Sequence, residues 1–170
     1  ITDNWTPPGS FTRRAWDADG LVGEQPIWGR FLDHPDLQAE ERALLQAARD
    51  IGRERLELLQ TELDYGLIHA DLITENIMIH DGQLSLIDFD DCGPGFRTFE
   101  LATFLIRFSD KPYYPALRDA LLDGYSARNQ ISLKDLDFFL MLRALTYVGW
   151  IIPRMAEPGG SKRSALAIQT

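Results

Sequence analysis

Three side chains in one short stretch have the types and spacing needed to move a phosphoryl group. Between His69 and Asp91 the sequence reads H-A-D-L-I-T-E-N, then a short apolar stretch, then I-D-F-D-D. Asp71 is followed by Asn76 five residues on and by Asp88 twelve beyond that. In phosphoryl transfer one Asp accepts the proton of the attacking hydroxyl, while an Asn and a second Asp hold metal ions on the nucleotide phosphates. The work asked of the protein is mainly positioning and charge neutralisation. Asp71 would orient and deprotonate the acceptor hydroxyl. Asn76 offers Mg2+ a neutral oxygen, and Asp88 a hard anionic one. Asp90 and Asp91 enlarge the acidic cluster, and His69 packs behind the loop and hydrogen-bonds backbone. Taken singly, each of these residues reads as an ordinary turn or cap residue. The combination carries the chemistry.

The elements around the motif are placed to hold it. Ile77–Ile79 and Leu84–Ile87 flank Asp81-Gly82, a pair suited to a tight hairpin turn. A hairpin there brings its two ends together, and with them Asn76 and Asp88. Residues 67–71 are a short buried segment feeding the motif. Upstream, residues 37–64 repeat apolar side chains at near-helical spacing (Leu44, Leu45, Ala48, Ile51, Leu58, Leu59, Leu63), with Asp36 as N-cap and Gly66 as the stop. Downstream, Gly93-Pro94-Gly95 reads as a loop, and residues 99–108 and 114–128 as helices. Ser132-Leu133-Lys134-Asp135 looks like a capping-box start for a further helix that Pro153 ends near Ile152. Residues 1–36, rich in Pro, Gly, Asp and Trp, read as loop with short helical turns, and the tail from Glu157 as a final turn of helix. The fold class expected is mainly α with short β-hairpins.

Composition bounds the function. At 170 residues the chain is one domain or one large lobe. A net charge of −9 with no basic patch argues against nucleic acid and anionic membrane, and suits a cationic or amine-bearing substrate. The single cysteine, Cys92, excludes an internal disulfide and fits a reducing, cytoplasmic setting. No apolar run is expected to approach the ~20 residues of a membrane span. Histidines 34, 69 and 80 with one Cys give no zinc pattern. His34 reads as a loop residue and His80 as a solvated turn residue. Trp16, Trp28, Tyr147 and Trp150 are candidates to line a substrate cleft, against the commoner role of aromatics as core. The segment at 157–164 lacks phosphate-loop spacing and is set aside.

The residues from Leu67 through Asn76, then Leu86-Ile87-Asp88-Phe89-Asp90-Asp91, then Glu100-Leu101-Ala102, resemble the aminoglycoside phosphotransferase family. That family includes choline kinase-like and type II homoserine kinase-like enzymes and has a protein-kinase-like fold. The resemblance runs through all 170 residues, with its specific part at 67–102. It implies Asp71 as catalytic base, Asn76 and Asp88 as Mg2+ ligands, and ATP and a small-molecule hydroxyl as substrates. The acceptor class implied is an amino alcohol, amino sugar or amino acid. Ile73 stands where the family commonly has a second His. Glu100 replaces the Asp of a later Asp-Leu-Ala, so a carboxylate bracing the catalytic loop must reach from one carbon further away. The glycine-rich strand-turn-strand and the lysine of the family's N-terminal lobe have no counterpart here, since Lys111, Lys134 and Lys162 all follow the motif.

The resulting expectation is the C-terminal lobe of a protein-kinase-like fold over residues 1–170, without the N-terminal lobe. Residues 1–36 form its loop-rich substrate side, and 67–91 its catalytic and metal-binding loops. The start at Ile1, in a polar proline-containing stretch, looks like the middle of a longer polypeptide. Alone, the chain is expected to bind ATP weakly and transfer phosphate poorly. The alternative is a one-lobed pseudokinase remnant acting as a binding or dimerisation module, with self-association through the surface the missing lobe would cover. A protein kinase fits less well, because Glu100 follows Asp88 too soon for a long activation loop. A hydrolase using Asp88, Asp90 and Asp91 lacks a histidine partner.

Overall fold

The computed structural model describes residues 8–59, 62–127 and 135–169. In chain order the regular elements are α1 (Ala18–Val22), α2 (Ala39–Leu59), β1 (Tyr65–Ile68), β2 (Ile77–His80), β3 (Gln83–Leu86), β4 (Gly93–Phe96), α3 (Arg97–Leu105), α4 (Tyr114–Ser126), α5 (Leu136–Ile151) and α6 (Gly160–Gln169). Among the described residues helices dominate, with two small antiparallel sheets, β1–β4 and β2–β3. The chain divides into two compact units. One comprises Ile1–Ala15 with Leu63–Leu140, and the other Trp16–Glu62 with Met141–Thr170.

The first unit carries the phosphoryl-transfer motif. Its β2–β3 hairpin pairs Ile77 with Leu86 and Ile79 with Leu84. Asp81 and Gly82 both have positive φ, 49° and 73°. Two successive left-handed residues match the right-handed twist of the strands, and only Gly adopts that region at little cost. The expected loop at Gly93-Pro94-Gly95 is instead strand β4, antiparallel to β1 with Gly66 opposite Gly95 and Leu67 opposite Pro94. Gly and Pro carry no strand propensity. Flanking contacts supply the pairing: Arg97 N–H donates to the Asp64 carbonyl at 3.0 Å, and the Tyr65 and Phe96 rings meet edge-on at 5.2 Å. The Arg97 side chain also pairs with the Asp64 carboxylate. Helix α3 follows at once and buries Phe99, Leu101, Ala102 and Leu105. Phe138 and Phe139, at the start of α5, are buried too, with Phe139 5.5 Å from the Phe96 ring. Helix α3 starts two residues before expected and continues into a 3-10 turn at Ile106–Phe108. The expected capping start at Ser132 and the end of the second helix at Arg128 lie outside the described residues.

In the second unit, α2 begins later than expected. The Gln38 N–H is capped by Glu41 at 2.8 Å, so Asp36 is not the N-cap. Gly66 lies in β1 and does not stop the helix. The buried face is also narrower than the apolar spacing implied. Leu56 and Gly52 are buried, while Leu44, Ile51 and Leu58 point outward. These three recur at seven-residue intervals on one exposed face. Helix α5 brings Gly149 against the Trp28–Gly29 backbone. A Cβ at 149 would meet the Trp28 carbonyl oxygen at 3.0 Å and lie closer still to that of Gly29, and Gly29 itself has φ +95°.

Two further expectations are corrected. The tail is a ten-residue helix, α6, rather than a single turn. Its buried positions Gly160, Ser164 and Ala167 are small, so no apolar period announces it. Helix α5 with its 3-10 extension forms a 19-residue apolar helix, Leu136–Arg154, that by length and composition alone could cross a membrane. More than half of it is buried inside the protein, as in a core helix.

Candidate functional site

The site is built where β1 runs out. After Ile68 the chain turns through Ala70, whose φ of 67° is left-handed. A non-glycine residue there costs about 1–2 kcal/mol unless its surroundings hold it. The hold comes from Glu100 on α3. Its Oε1 accepts the His69 N–H at 2.9 Å and its Oε2 accepts the Ala70 N–H at 2.8 Å. One carboxylate thus receives two successive backbone donors immediately before Asp71. Burial pushes the Glu100 pKa up, against the pull of the Ala70 and His69 hydrogen bonds and of the His69 charge, while the Asp71 charge adds to the rise. The extra methylene of Glu relative to Asp is what spans from α3 to this backbone.

The loop then doubles back. Ile73 N–H donates to the Asp71 carbonyl at 2.9 Å, and Asn76 N–H to the Ile73 carbonyl at 3.0 Å, closing a 3-10 turn at Thr74–Asn76. Asn76 is only 7% exposed. Its Nδ2 donates to the Asp71 carbonyl at 2.9 Å and to Asp71 Oδ2 at 3.2 Å. A carboxamide that spends its N–H2 group on Asp71 presents its Oδ1 as an acceptor elsewhere. The Asn76 carbonyl accepts the Ile87 N–H at 3.0 Å, which ties the loop to the residue before Asp88. Asp88 itself is exposed and has φ 63°. The structure therefore brings Asp71 and Asn76 into direct contact, with Asp88 one residue beyond the backbone bond that joins the two segments.

His69 is buried against the Phe89 ring, with centroids 4.5 Å apart, and its Nε2 meets the Ile87 carbonyl at 2.8 Å. A ring nitrogen facing a carbonyl donates its hydrogen. Nδ1 is buried and has no hydrogen-bond partner. Asp90 is exposed and its carbonyl accepts from Arg13. Asp91 and Cys92 are half-buried beside it. Among the described residues no group of three or more His, Cys, Asp or Glu side chains converges as a metal cage. The donors fit Mg2+ nonetheless. That ion keeps several waters and takes one or two protein oxygens plus substrate phosphates, and the Asn76 carboxamide and the Asp88 carboxylate are oxygen donors of the right hardness.

The aromatic candidates all lie in the second unit. Trp16 is 1% exposed and packs edge-on against Trp28 at 5.2 Å, with the Arg143 guanidinium 4.3 Å above the Trp28 ring. As a buried ring, Trp16 fills core. Tyr147 and Trp150 are half-buried and stacked at 5.5 Å, and Arg154 covers Trp150 at 4.1 Å. His34 is fully buried. Its Nδ1 accepts the Asp36 N–H at 3.2 Å, and its Nε2 meets Ser164 Oγ at 3.0 Å.

Two features near the motif have no mark in the sequence. One is the left-handed Ala70. The other is Arg107, which grips Glu75 through both carboxylate oxygens at 2.6 and 2.9 Å. Arg107 lies 32 residues from its partner, and nothing in its local pattern sets it apart from a surface charge.

Known proteins share this sequence and fold. Residues 5–137 match the model of the phosphotransferase enzyme family, APH. An uncharacterised protein of Deinococcus radiodurans is 32% identical over 170 residues, covering 92% of this chain and 47% of that protein. A homoserine kinase of Gluconobacter oxydans is 31% identical over 118 residues, covering 62% of this chain and 36% of the enzyme. Among solved structures, that of a microcompartment-associated aminopropanol kinase superposes with a TM-score of 0.84 at 28% identity, over 99% of this chain and 54% of that one. The chain spans less than half the length of these two relatives.

Proposed function

Because the chain belongs to the phosphotransferase enzyme family, we propose that it is the catalytic part of a small-molecule kinase. The reaction would move the γ-phosphoryl of ATP to a hydroxyl on an amine-bearing small molecule. The observation that carries this reading is the joined loop and hairpin: Asn76 bonds Asp71 with its side chain and Ile87 with its carbonyl, so the three candidate residues belong to one hydrogen-bonded unit.

In this reading Asp71 accepts the proton of the acceptor hydroxyl and holds that oxygen on line with the phosphorus. The Asn76 N–H2 group steers the Asp71 carboxylate, and Glu100 fixes the backbone that carries it. Asn76 Oδ1 and an Asp88 carboxylate oxygen would hold Mg2+. When bound, that ion neutralises charge on the phosphates. Homoserine and aminopropanol, the compounds named for the two kinases, each bear an amine and a hydroxyl. A chain of net charge −9 suits the ammonium group that both carry.

The chain reads as the C-terminal lobe of the fold, working with a nucleotide-clamping portion outside these 170 residues. Support comes from the outer face of the β2–β3 hairpin beside the motif. Ile79 is 75% exposed and Leu84, its cross-strand partner, 62%. A nucleotide and a second lobe would cover such a surface, as would the partner of a one-lobed binding module. The experiment is an intact-mass measurement on the protein from its own cells, followed by a phosphoryl-transfer panel of amino alcohols, amino sugars and amino acids with radiolabelled ATP. A species well above 19.3 kDa that phosphorylates one of these acceptors is expected. A species of 19.3 kDa with no transfer would replace the kinase reading with the binding module.

A further inference from the structure

Helix α3 and its 3-10 continuation touch the catalytic loop at two places. Glu100 holds the loop's entry through the His69 and Ala70 N–H groups. Arg107, about two helical turns further on, holds its exit through Glu75. Glu75 sits inside the 3-10 turn Thr74–Asn76 and directly precedes Asn76. The two anchors thus lie on either side of residues 71–74, the stretch that leads from Asp71 into the turn carrying Asn76.

A bidentate guanidinium–carboxylate pair fixes orientation as well as distance, because the planar fork accepts only one approach. Both side chains are about half exposed, and exposed pairs add little to global stability. A pair that contributes little to stability yet grips the turn carrying a proposed metal ligand acts through geometry.

We propose that Arg107 is a positioning residue: by fixing Glu75 it sets the spacing of Asn76 from Asp71, a role that rests on the phosphotransferase reading. Arg107→Lys, which loses the fork, and Arg107→Gln and Glu75→Gln, which lose the pair, should each behave alike.

The test uses the polypeptide as its own cells make it, as wild type, these three single variants and Glu75→Gln/Arg107→Gln. It measures kcat and KM, Mn2+ binding with ATP by electron spin resonance, amide exchange at residues 73–77 and the urea midpoint. Since small misplacements of reacting groups cost large factors in rate, each single variant should lower kcat about tenfold. The Asn76 amide should exchange faster and Mn2+ bind more weakly, with the urea midpoint nearly unmoved. The double variant should fall no further than the worse single one. Unchanged kcat and unchanged Asn76 exchange in Arg107→Gln would overturn the proposal, as would losses that multiply in the double variant. If the wild type neither binds Mn2+ with ATP nor transfers phosphate, the phosphotransferase reading falls by itself, and the Asn76 exchange then decides the clamp alone.

Discussion

Glu100→Gln is the most informative single change to the loop's support. The carboxylate now receives two backbone donors, at 2.9 and 2.8 Å. Gln keeps one acceptor oxygen and turns an N–H2 group toward the other donor, so one bond is lost and one buried N–H is left facing another. An orphaned buried donor costs about 1–3 kcal/mol. Gln also removes the cost of burying a charge, which offsets part of the loss. The expected net effect at pH 7 is a destabilisation of about 1–2 kcal/mol, most of it from the stranded donor. Released from its grip, the left-handed Ala70 would relax toward an ordinary conformation and carry Asp71 with it.

The pH dependence sharpens the test. Burial raises the folded-state pKa of Glu100 above 4.5. The folded protein therefore holds a proton that the unfolded chain has released, so stability falls as pH rises from 4.5 through the raised folded value. Gln does not titrate. The gap in stability between wild type and Glu100→Gln should be widest at the acid end of that window and shrink as pH rises, while every other titrating group cancels in the difference. Urea unfolding of both proteins, followed by far-UV circular dichroism from pH 4.5 to 8, measures this. Equal midpoints at pH 7, or a gap independent of pH, would refute the reasoning.

Other predictions follow from the second unit. Burial lowers the His34 pKa, with Arg42 adding to the fall and Asp36 and Glu41 opposing it. Its contribution to stability is full above 6.5 and is lost as pH drops below that value toward the depressed folded pKa, because protonation breaks the Nδ1 bond to the Asp36 N–H. Wild type should lose more urea stability between pH 7.5 and 5.5 than His34→Gln does, and equal slopes would contradict this. Gly149→Ala drives a methyl group into the backbone of Trp28 and Gly29, which cannot swing aside. The cost should be about 1–3 kcal/mol, read as a drop of several degrees in the thermal midpoint.

What could be read from the sequence tracks where the controlling interactions lie. The β2–β3 hairpin was legible because its turn chemistry, Asp81-Gly82, is local. Asp71, Asn76 and Asp88 stood out because their spacing is local too. Helices α3 and α5 showed themselves through dense apolar runs. Strand β4 did not, since Gly93-Pro94-Gly95 reads as a loop until Asp64 and Tyr65 supply partners. Helix α6 hid because Gly160, Ser164 and Ala167 are small enough to bury without an apolar signature. Leu44, Ile51 and Leu58 are not distinguished from the buried positions of α2 by spacing, because spacing gives a period but not which face meets the core. In the site, Glu100 was visible as a candidate brace. Its two-pronged grip, the strained Ala70 and the Arg107–Glu75 pair depend on contacts some 30 residues apart, which no local pattern reports.

The central claim is that Asp71 serves as the base in phosphoryl transfer. The direct measurement is the rate of phosphoryl transfer by Asp71→Asn in the natural polypeptide, with Mg-ATP and the best acceptor of the panel, alongside its nucleotide affinity. Loss of a positioned general base should lower kcat by about 10²–10⁴-fold while nucleotide affinity stays near that of wild type, since Asn76 and Asp88 remain. Transfer by Asp71→Asn at the wild-type rate would contradict the account.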